Sequence, residues 1–136
     1  MKVVLVDMSA TIIHHGHIRL LKKANNLGSV TVALTTDEEI LKYKGYIPEL
    51  KFAERKEILE AIRYVDNVIA SPWKLNMDFF KSTGADILIH GDDNQNDIPQ
   101  RYLKIYKRTK SISSSLIRQR VMQVILAKES KNKKSI

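Results

Sequence analysis

Short apolar runs alternate along the chain with segments in which apolar residues recur every three or four positions. The apolar or β-branched runs predict five strands, at residues 3–6, 30–34, 68–70, 86–90 and 102–106. The periodic segments predict helices at residues 18–24, from residue 37, and at 52–63, 77–83 and 113–127. This alternation predicts one α/β domain with a doubly wound, mainly parallel sheet of about five strands.

The polar segment after the first strand suggests phosphate chemistry. His14 and His17 flank Gly16 where the predicted strand gives way to a helix. Unpaired N–H groups and the helix dipole favour phosphate at such a helix N-terminus. Gly16 leaves the backbone open, and two imidazoles can donate hydrogen bonds to phosphoryl oxygens. A chance surface run and a metal site are the alternatives, although neither a cysteine nor a nearby carboxylate pair is there to complete a zinc shell.

Other polar segments follow the other predicted strands, at residues 35–37, 71–72 and 90–94. In open parallel sheets, ligands bind beyond the carboxyl ends of the strands, where the strand order reverses. The pattern therefore predicts that these segments meet residues 7–17 in one cleft.

Composition narrows the function classes. The 136 residues carry a net charge of +8 and no cysteine, which excludes a disulfide scaffold and favours a cytoplasmic location. Neither a membrane span nor a signal peptide is predicted. Residues 128–136, with four lysines and one glutamate, are predicted to be a basic, disordered tail to the domain at residues 1–127. The charge suits small polyphosphates, whereas nucleic acid is not a predicted partner because no basic stripe is interleaved with stacking aromatic residues.

Several motifs, in matching order and spacing, give the chain a resemblance to a known family. They are HHGH at residues 14–17, Lys44 with Arg55, RYVD at 63–66, GDD at 91–93 and RTKSISSS at 108–115. The H-x-G-H motif after a first strand resembles the signature of a nucleotidyltransferase superfamily. With the other motifs, residues 1–125 resemble a short bacterial glycerol-3-phosphate-type cytidylyltransferase.

The resemblance implies a three-layer Rossmann-like fold and an enzyme that transfers CMP from CTP to a small phosphorylated alcohol and releases pyrophosphate. It implies Mg²⁺ bound with CTP, and a homodimer that pairs through residues 63–66. The implied catalytic residues are His14, His17, Lys44 and Arg108. The implied nucleotide-binding residues are Met8, Ser9, Ala10, Thr11, Gly16, Asp92, Asp93, Arg108, Thr109, Ile112, Ser113, Ser114 and Ser115. The implied acceptor-binding residues are Asp37, Lys44, Arg55 and Arg63.

Plainer interpretations exist for some of these residues. Arg55 and Arg63 lie on a charged helix where pairing at four-residue spacing is common. Residues 113–115 precede an apolar helical stripe, so N-capping is expected there with or without phosphate binding. Asp92 and Asp93 can be ordinary turn residues after a strand.

The chain also departs from the family pattern. Thr11 stands where the family keeps an aspartate, Asn94 where an aromatic residue often follows GDD, and Ser111 where a glycine is usual. The stretch DMSATIIH at residues 7–14 instead resembles cytidylyltransferases of phosphonate pathways. We interpret these changes as altered substrate choice in an active enzyme, with a degenerate site as the lesser alternative. A phosphonate acceptor, or an adenylyltransferase of the same superfamily, remains an alternative to glycerol 3-phosphate.

Overall fold

The computed structural model describes residues 1–134, and its centre is a five-stranded parallel sheet with the strand order β3-β2-β1-β4-β5. The strands are β1 (Val3–Met8), β2 (Ser29–Thr35), β3 (Asn67–Ser71), β4 (Ile87–Gly91) and β5 (Leu103–Tyr106). The helices are α1 (His15–Asn25), α2 (Asp37–Lys44), α3 (Phe52–Glu60), α4 (Met77–Ser82) and α5 (Ser114–Lys134). The predicted α/β, Rossmann-like fold is confirmed.

The strand order reverses between β1 and β4. The chain runs from β1 outward to β3, then crosses back to place β4 on the other side of β1. The central strands bury both faces: Val4 and Val6 join one apolar cluster, and Leu5 joins the other. This is why β1 has a continuous apolar run, and why its carboxyl end faces the switch point at which ligands bind in such sheets.

Two segments differ from the predicted pattern. Gly45 and Pro48 predict an irregular segment at residues 42–50, but residues 42–44 complete α2, which ends where Gly45 adopts a left-handed conformation with φ of 79°. Residues 128–134, expected to form a disordered tail, continue α5 because neither glycine nor proline interrupts the helix there. Residues 135 and 136 lie outside the described part. No helix within residues 1–134 has the length and apolar character that crossing a membrane requires.

Candidate active site

A cleft of about 560 Å³ opens at the carboxyl end of the sheet. Its walls come from the turn after β1, the start of α1, the segment after β5 and the start of α5. Most of the residues predicted for the site line this cleft. They are Met8, Ser9, Ala10, Thr11, His14, Gly16, His17, Lys44, Asp93, Arg108, Thr109, Ile112, Ser113, Ser114 and Ser115.

The two histidines are held by the backbone that opens α1. His14 is the N-cap residue, and its Nδ1 accepts a hydrogen bond from the Gly16 N–H at 3.1 Å. His17 Nδ1 accepts from the His14 N–H at 3.1 Å, which completes a capping box made of two imidazoles. The ring centroids lie 4.0 Å apart. The helix start therefore fixes both rings side by side.

These hydrogen bonds also set the chemical form of the rings. An Nδ1 atom that accepts a hydrogen bond carries no proton, so the neutral ring keeps its proton on Nε2, which is then a donor. Burial, followed by the charges of His15 and Arg108, lowers the pKa of His14. Burial, followed by the charges of His14 and Arg108, lowers the pKa of His17 to about 3. Both residues thus provide neutral Nε2–H donors at neutral pH.

Gly16 is required by close packing against one of these rings. A Cβ atom built at this position would lie 2.8 Å from His14 Cε1 and 2.9 Å from His14 Nδ1. Real Cβ atoms do not approach other atoms so closely. Any side chain at residue 16 therefore has to push the His14 imidazole away from its place on the helix N-terminus.

We expect the substitution Gly16→Ala to lower kcat about tenfold or more, because misplacing a catalytic group by about 1 Å can cost up to 10² in rate. The measurement is the steady-state rate of Gly16→Ala in the wild-type background and again in a His14→Ala background. The second pair of variants is the control: without the ring, the added methyl group meets only Ile112 Cγ2, at 3.3 Å, so most of its cost should vanish. An equal cost in both backgrounds would contradict this explanation.

The start of α5 is tied to the turn after β1. The Ser114 hydroxyl accepts from the Ile12 N–H at 3.2 Å and donates to the Ile12 carbonyl at 2.9 Å. The Ser113 hydroxyl accepts from the Leu116 N–H at 3.0 Å, as an N-cap does. Ser111, which replaces the usual glycine, adopts a left-handed φ of 62°, so the chain retains here a backbone conformation that glycine adopts without strain.

Thr11 has a partner that the sequence did not predict. Its hydroxyl is nearly buried and accepts a hydrogen bond of 2.6 Å from Arg118 Nη2. The same guanidinium forms an ion pair with Glu49 and lies 4.7 Å from the ring centroid of Tyr46. Arg118 therefore links α5 to the turn after β1 and to the loop after α2, on one wall of the cleft.

Lys44 lies at an aromatic rim of the cleft. Its Nζ is 5.5 Å from the ring centroid of Trp73, which stacks on Tyr43 with 5.9 Å between centroids. The backbone N–H of Trp73 in turn donates to Glu39 Oε1 at 3.0 Å. The exposed ammonium group is thus placed beside the cleft without a carboxylate ion pair in the described residues, free to contact an anionic ligand.

Four predicted site residues do not line the cleft: Asp37, Arg55, Arg63 and Asp92. Arg55 is fully buried, and its guanidinium donates to the carbonyl groups of Ser9, Thr35 and Leu50 and to Asp37 Oδ1. The prediction that Arg55 grips an acceptor phosphate placed it in the cleft, whereas in the structure Arg55 does not line the cleft and its guanidinium has four intramolecular acceptors. Arg55 and its partner Asp37 instead brace the turn after β1 from below.

Arg63 is another predicted acceptor-binding residue that the structure does not place in the cleft. Its side chain is exposed outside the cleft and stacks on its neighbour Tyr64, with Cζ 5.0 Å from the ring centroid. Tyr64 and Val65, expected at a dimer interface, are partly buried against the chain's own core. Asp66 accepts hydrogen bonds from the Val30 N–H and the Ser29 hydroxyl. These residues therefore have intramolecular partners.

The cleft contains functional candidates to which the sequence prediction gave no role, although it placed Asp7 and His90 in segments that meet at the cleft. Asp7 and His90 contact each other from the ends of β1 and β4, and Asn96 contacts Asp7 from the loop after β4. Their one sequence signal is position, because polar residues that directly follow buried strands face the ligand edge. Arg118, within the predicted final helix, carried no such signal.

A further property of the cleft is how well its side chains could hold a metal ion. Within residues 1–134, no group of three or more histidine or carboxylate side chains is arranged to hold a metal ion. Asp7 and Asp93, the carboxylates that line the cleft, already contact His90. These residues fit an ion such as Mg²⁺ only if most of its ligands come from a bound triphosphate and water, which is its usual preference.

The fold and the cleft define a class of protein. A doubly wound sheet whose switch-point cleft contains two neutral imidazoles at a helix N-terminus, a second helix N-terminus and basic side chains is a phosphate-binding α/β domain. The family model described as cytidylyltransferase-like matches residues 9–114 of the chain. The chain belongs to this family of nucleotidyltransferases.

Individual proteins are also similar to this chain. The chain is 36% identical over 129 residues to glycerol-3-phosphate cytidylyltransferase from Staphylococcus aureus (strain NCTC 8325 / PS 47), covering 88% of this chain and 94% of that protein. It is 39% identical over 88 residues to an FAD synthase from Pyrococcus horikoshii, covering 63% of this chain and 60% of that protein. The crystal structure of a lipopolysaccharide core biosynthesis protein from Thermoplasma volcanium GSS1 superposes with a TM-score of 0.66 at 22% identity, over 82% of this chain and 99% of that one, and supports the fold.

Proposed function

We propose that this chain is a cytidylyltransferase that transfers CMP from CTP to a small phosphorylated alcohol. An acceptor phosphate oxygen attacks the α-phosphorus of CTP, a new phosphorus–oxygen bond forms, and the bond to the β-phosphate breaks. Pyrophosphate leaves with the electron pair of that bond, and the product is a CDP-alcohol. This chemistry needs positioning and charge stabilisation more than a covalent intermediate.

The observation that carries the proposal is the pair of imidazoles at the start of α1. Both rings accept backbone N–H groups through Nδ1, so both present Nε2–H to the cleft. Donors fixed in advance stabilise the charge that develops on the α-phosphate oxygens without reorganising in the transition state. Arg108 and Lys44 line the same cleft and bring positive charge for the departing pyrophosphate and the incoming acceptor.

The start of α5 suits the outer phosphates of the triphosphate. Ser113, Ser114 and Ser115 line the cleft at a helix N-terminus, where N–H groups and hydroxyls favour anions. The predicted capping role and the proposed phosphate role are compatible, because Ser114 and Ser113 hold the helix start in place. Mg²⁺ would arrive with CTP and supply charge neutralisation of the phosphates.

Glycerol 3-phosphate is the proposed acceptor. The support is the similarity to the glycerol-3-phosphate cytidylyltransferase, of which the chain covers 94%. A phosphonate acceptor is the alternative suggested by the DMSATIIH stretch at residues 7–14. Adenylyl transfer is the second candidate function, because relatives named FAD synthase match the chain at 36–39% identity. The cysteine-free composition further supports a cytoplasmic enzyme.

The test is pyrophosphate release by the purified full chain with Mg²⁺ and either CTP or ATP. The acceptors are glycerol 3-phosphate, phosphocholine, phosphoethanolamine, hydroxyethylphosphonate, aminoethylphosphonate and FMN. The proposal predicts release with CTP and glycerol 3-phosphate. Release with CTP and a phosphonate would replace the acceptor, release with ATP and FMN would replace the nucleotide, and silence with every pair would contradict the proposed reaction class.

We also propose that the protein is a homodimer, but with α5 rather than residues 63–66 at its interface. Six large apolar side chains on α5 are 37–56% exposed, namely Leu116, Val121, Met122, Val124, Ile125 and Leu126. Val121, Val124 and Ile125 share one face of α5 at helical spacing, whereas the other three lie on the opposite side of the helix. We propose that the face formed by Val121, Val124 and Ile125 is the interface. A second α5 is apolar over the same length and is therefore a self-complementary cover.

We expect the double substitution Val121→Glu and Ile125→Glu to shift the protein from dimer to monomer, because charges on adjacent turns would be buried at the interface. Sedimentation velocity over a concentration series measures the shift. The matched control is Gln119→Glu with Gln123→Glu, which adds the same charge at the same spacing on another face of α5 and should leave the dimer intact. A wild type that sediments as a monomer at every concentration would rule out the dimer.

A further inference from the structure

A buried carboxylate at the end of β1 organises the floor of the cleft. Asp7 is 8% exposed, and each of its oxygens has a different partner. Oδ1 accepts a hydrogen bond from His90 Nδ1, and Oδ2 accepts from Asn96 Nδ2 at 2.8 Å. The contacts span β1, β4 and the loop after β4, so this carboxylate joins two central strands to a cleft loop.

His90 extends the network towards Asp93 and Arg108, which line the cleft. Its Nε2 lies 3.4 Å from Asp93 Oδ1, and Asp93 Oδ2 lies 3.6 Å from Arg108 Nη1. Negative and positive groups therefore alternate from Asp7 through His90 and Asp93 to Arg108. A guanidinium that is otherwise half-exposed is restrained at the cleft wall by this chain of contacts.

Charge on the imidazole strengthens these contacts. Burial by itself lowers the pKa of His90, but hydrogen bonds and charges from Asp7 and Asp93 outweigh it and raise the pKa to about 9. The hydrogen bond from His90 is also the main reason that the pKa of Asp93 falls to about 2. At neutral pH the ring is therefore a cation between two carboxylates, with both nitrogen atoms donating.

Asn96 fixes the loop that contains Asp93. Its Oδ1 accepts from the Leu75 N–H at 2.7 Å, while its Nδ2 donates to Asp7 and to Asn94 Oδ1, the latter at 2.9 Å. The loop has no regular secondary structure between residues 94 and 99. Asn94, which stands where the family often has an aromatic residue, thus joins a polar network that holds the loop by side-chain hydrogen bonds.

We propose that Asp7, His90 and Asn96 are positioning residues that hold Asp93 and Arg108 in the geometry for binding the nucleotide. The inference rests on the proposed nucleotidyl transfer and goes beyond it by assigning a role to three residues. None of the three is proposed to touch the reacting atoms. Their loss should therefore weaken nucleotide binding and, through Arg108, slow the chemical step, while acceptor binding stays nearly unchanged.

The test is the Kd of CTP by calorimetry, together with KM values for CTP and acceptor and kcat at saturating CTP, for His90→Gln. We expect CTP to bind about tenfold more weakly, because Asp93 loses its contact with His90 and no longer holds Arg108 in place. The KM of the acceptor should stay within about twofold of wild type. Asp97→Asn is the matched control, because this carboxylate is in the same loop and does not line the cleft.

Asp7→Asn, which keeps the size of the side chain, is the second variant and covers the case in which His90→Gln fails to fold. The double variant should bind CTP about as weakly as either single variant, because both break the same contact. An unchanged CTP affinity in folded variants, or a loss of acceptor affinity equal to the loss of CTP affinity, would overturn the inference but not the proposed function. Wild type that neither binds CTP nor turns over would instead contradict the proposed function and the inference with it.

Discussion

Replacing His14 by alanine is expected to lower kcat by about 10²–10³, equivalent to about 2.7–4 kcal/mol of transition-state stabilisation, the usual cost of removing one preorganised donor. The lost group is the Nε2–H that the capping geometry presents to the cleft. The variant also loses the hydrogen bond that Nδ1 accepts at the start of α1, which should cost stability by about 1 kcal/mol. Initial rates at saturating substrates, measured beside a thermal unfolding curve, separate the two effects.

The matched control for this prediction is His15→Ala. His15 is adjacent in sequence and begins the same helix, but its side chain is exposed and does not line the cleft. Its removal should change kcat by less than about twofold. Equal rate losses for the two variants would mean that the histidine-rich segment acts through general charge or stability, and would contradict a specific role for His14.

Replacing Arg55 by methionine is expected to lower the free energy of unfolding by about 3 kcal/mol, the lower end of the range for breaking a buried ion pair. The lower end applies because Asp37, its partner, is 36% exposed. The change also removes the hydrogen bonds that Arg55 donates to the carbonyl groups of Ser9 and Thr35. Chemical denaturation of the purified variant and of wild type measures this change in the free energy of unfolding.

Arg63→Met is the control for this second prediction, since both arginines were candidates for the acceptor phosphate. Arg63 is exposed, so its loss should change stability by no more than about 0.5 kcal/mol. In the folded fraction of Arg55→Met, the KM of the acceptor should be close to that of wild type. A stable Arg55→Met variant with a raised acceptor KM would show that Arg55 binds the acceptor after all.

The sheet and the histidine pair could be predicted because each has a local sequence signal. Parallel strands buried on both faces are continuous apolar runs, and β1 is one such run. His14, Gly16 and His17 lie within four residues, at the point where the periodicity changes from strand to helix. Their capping role was not predicted, because histidine is not among the usual N-cap residues.

The remaining features depend on which distant segments become neighbours. Asp7 and His90 are 83 positions apart and meet because the strand order places β4 beside β1. Arg55 lies four and seven residues before Leu59 and Ile62, so its spacing places it on the apolar face of the predicted helix. The carbonyl groups that accept from it, on Ser9 and Thr35, become its neighbours only in the folded chain. Arg118 reaches Thr11 across 107 positions, once α5 has packed its first turns against the cleft.

The most direct test of nucleotidyl transfer at this cleft is a turnover experiment with CTP radiolabelled at the α-phosphate, run with glycerol 3-phosphate and with His14→Ala beside wild type. The account predicts that label moves from CTP into a product containing the acceptor, that an equal amount of unlabelled pyrophosphate appears, and that the variant slows both by about 10²–10³. Label recovered as free CMP would indicate hydrolysis rather than transfer, and a rate of transfer that His14→Ala leaves unchanged would contradict the assignment of the site.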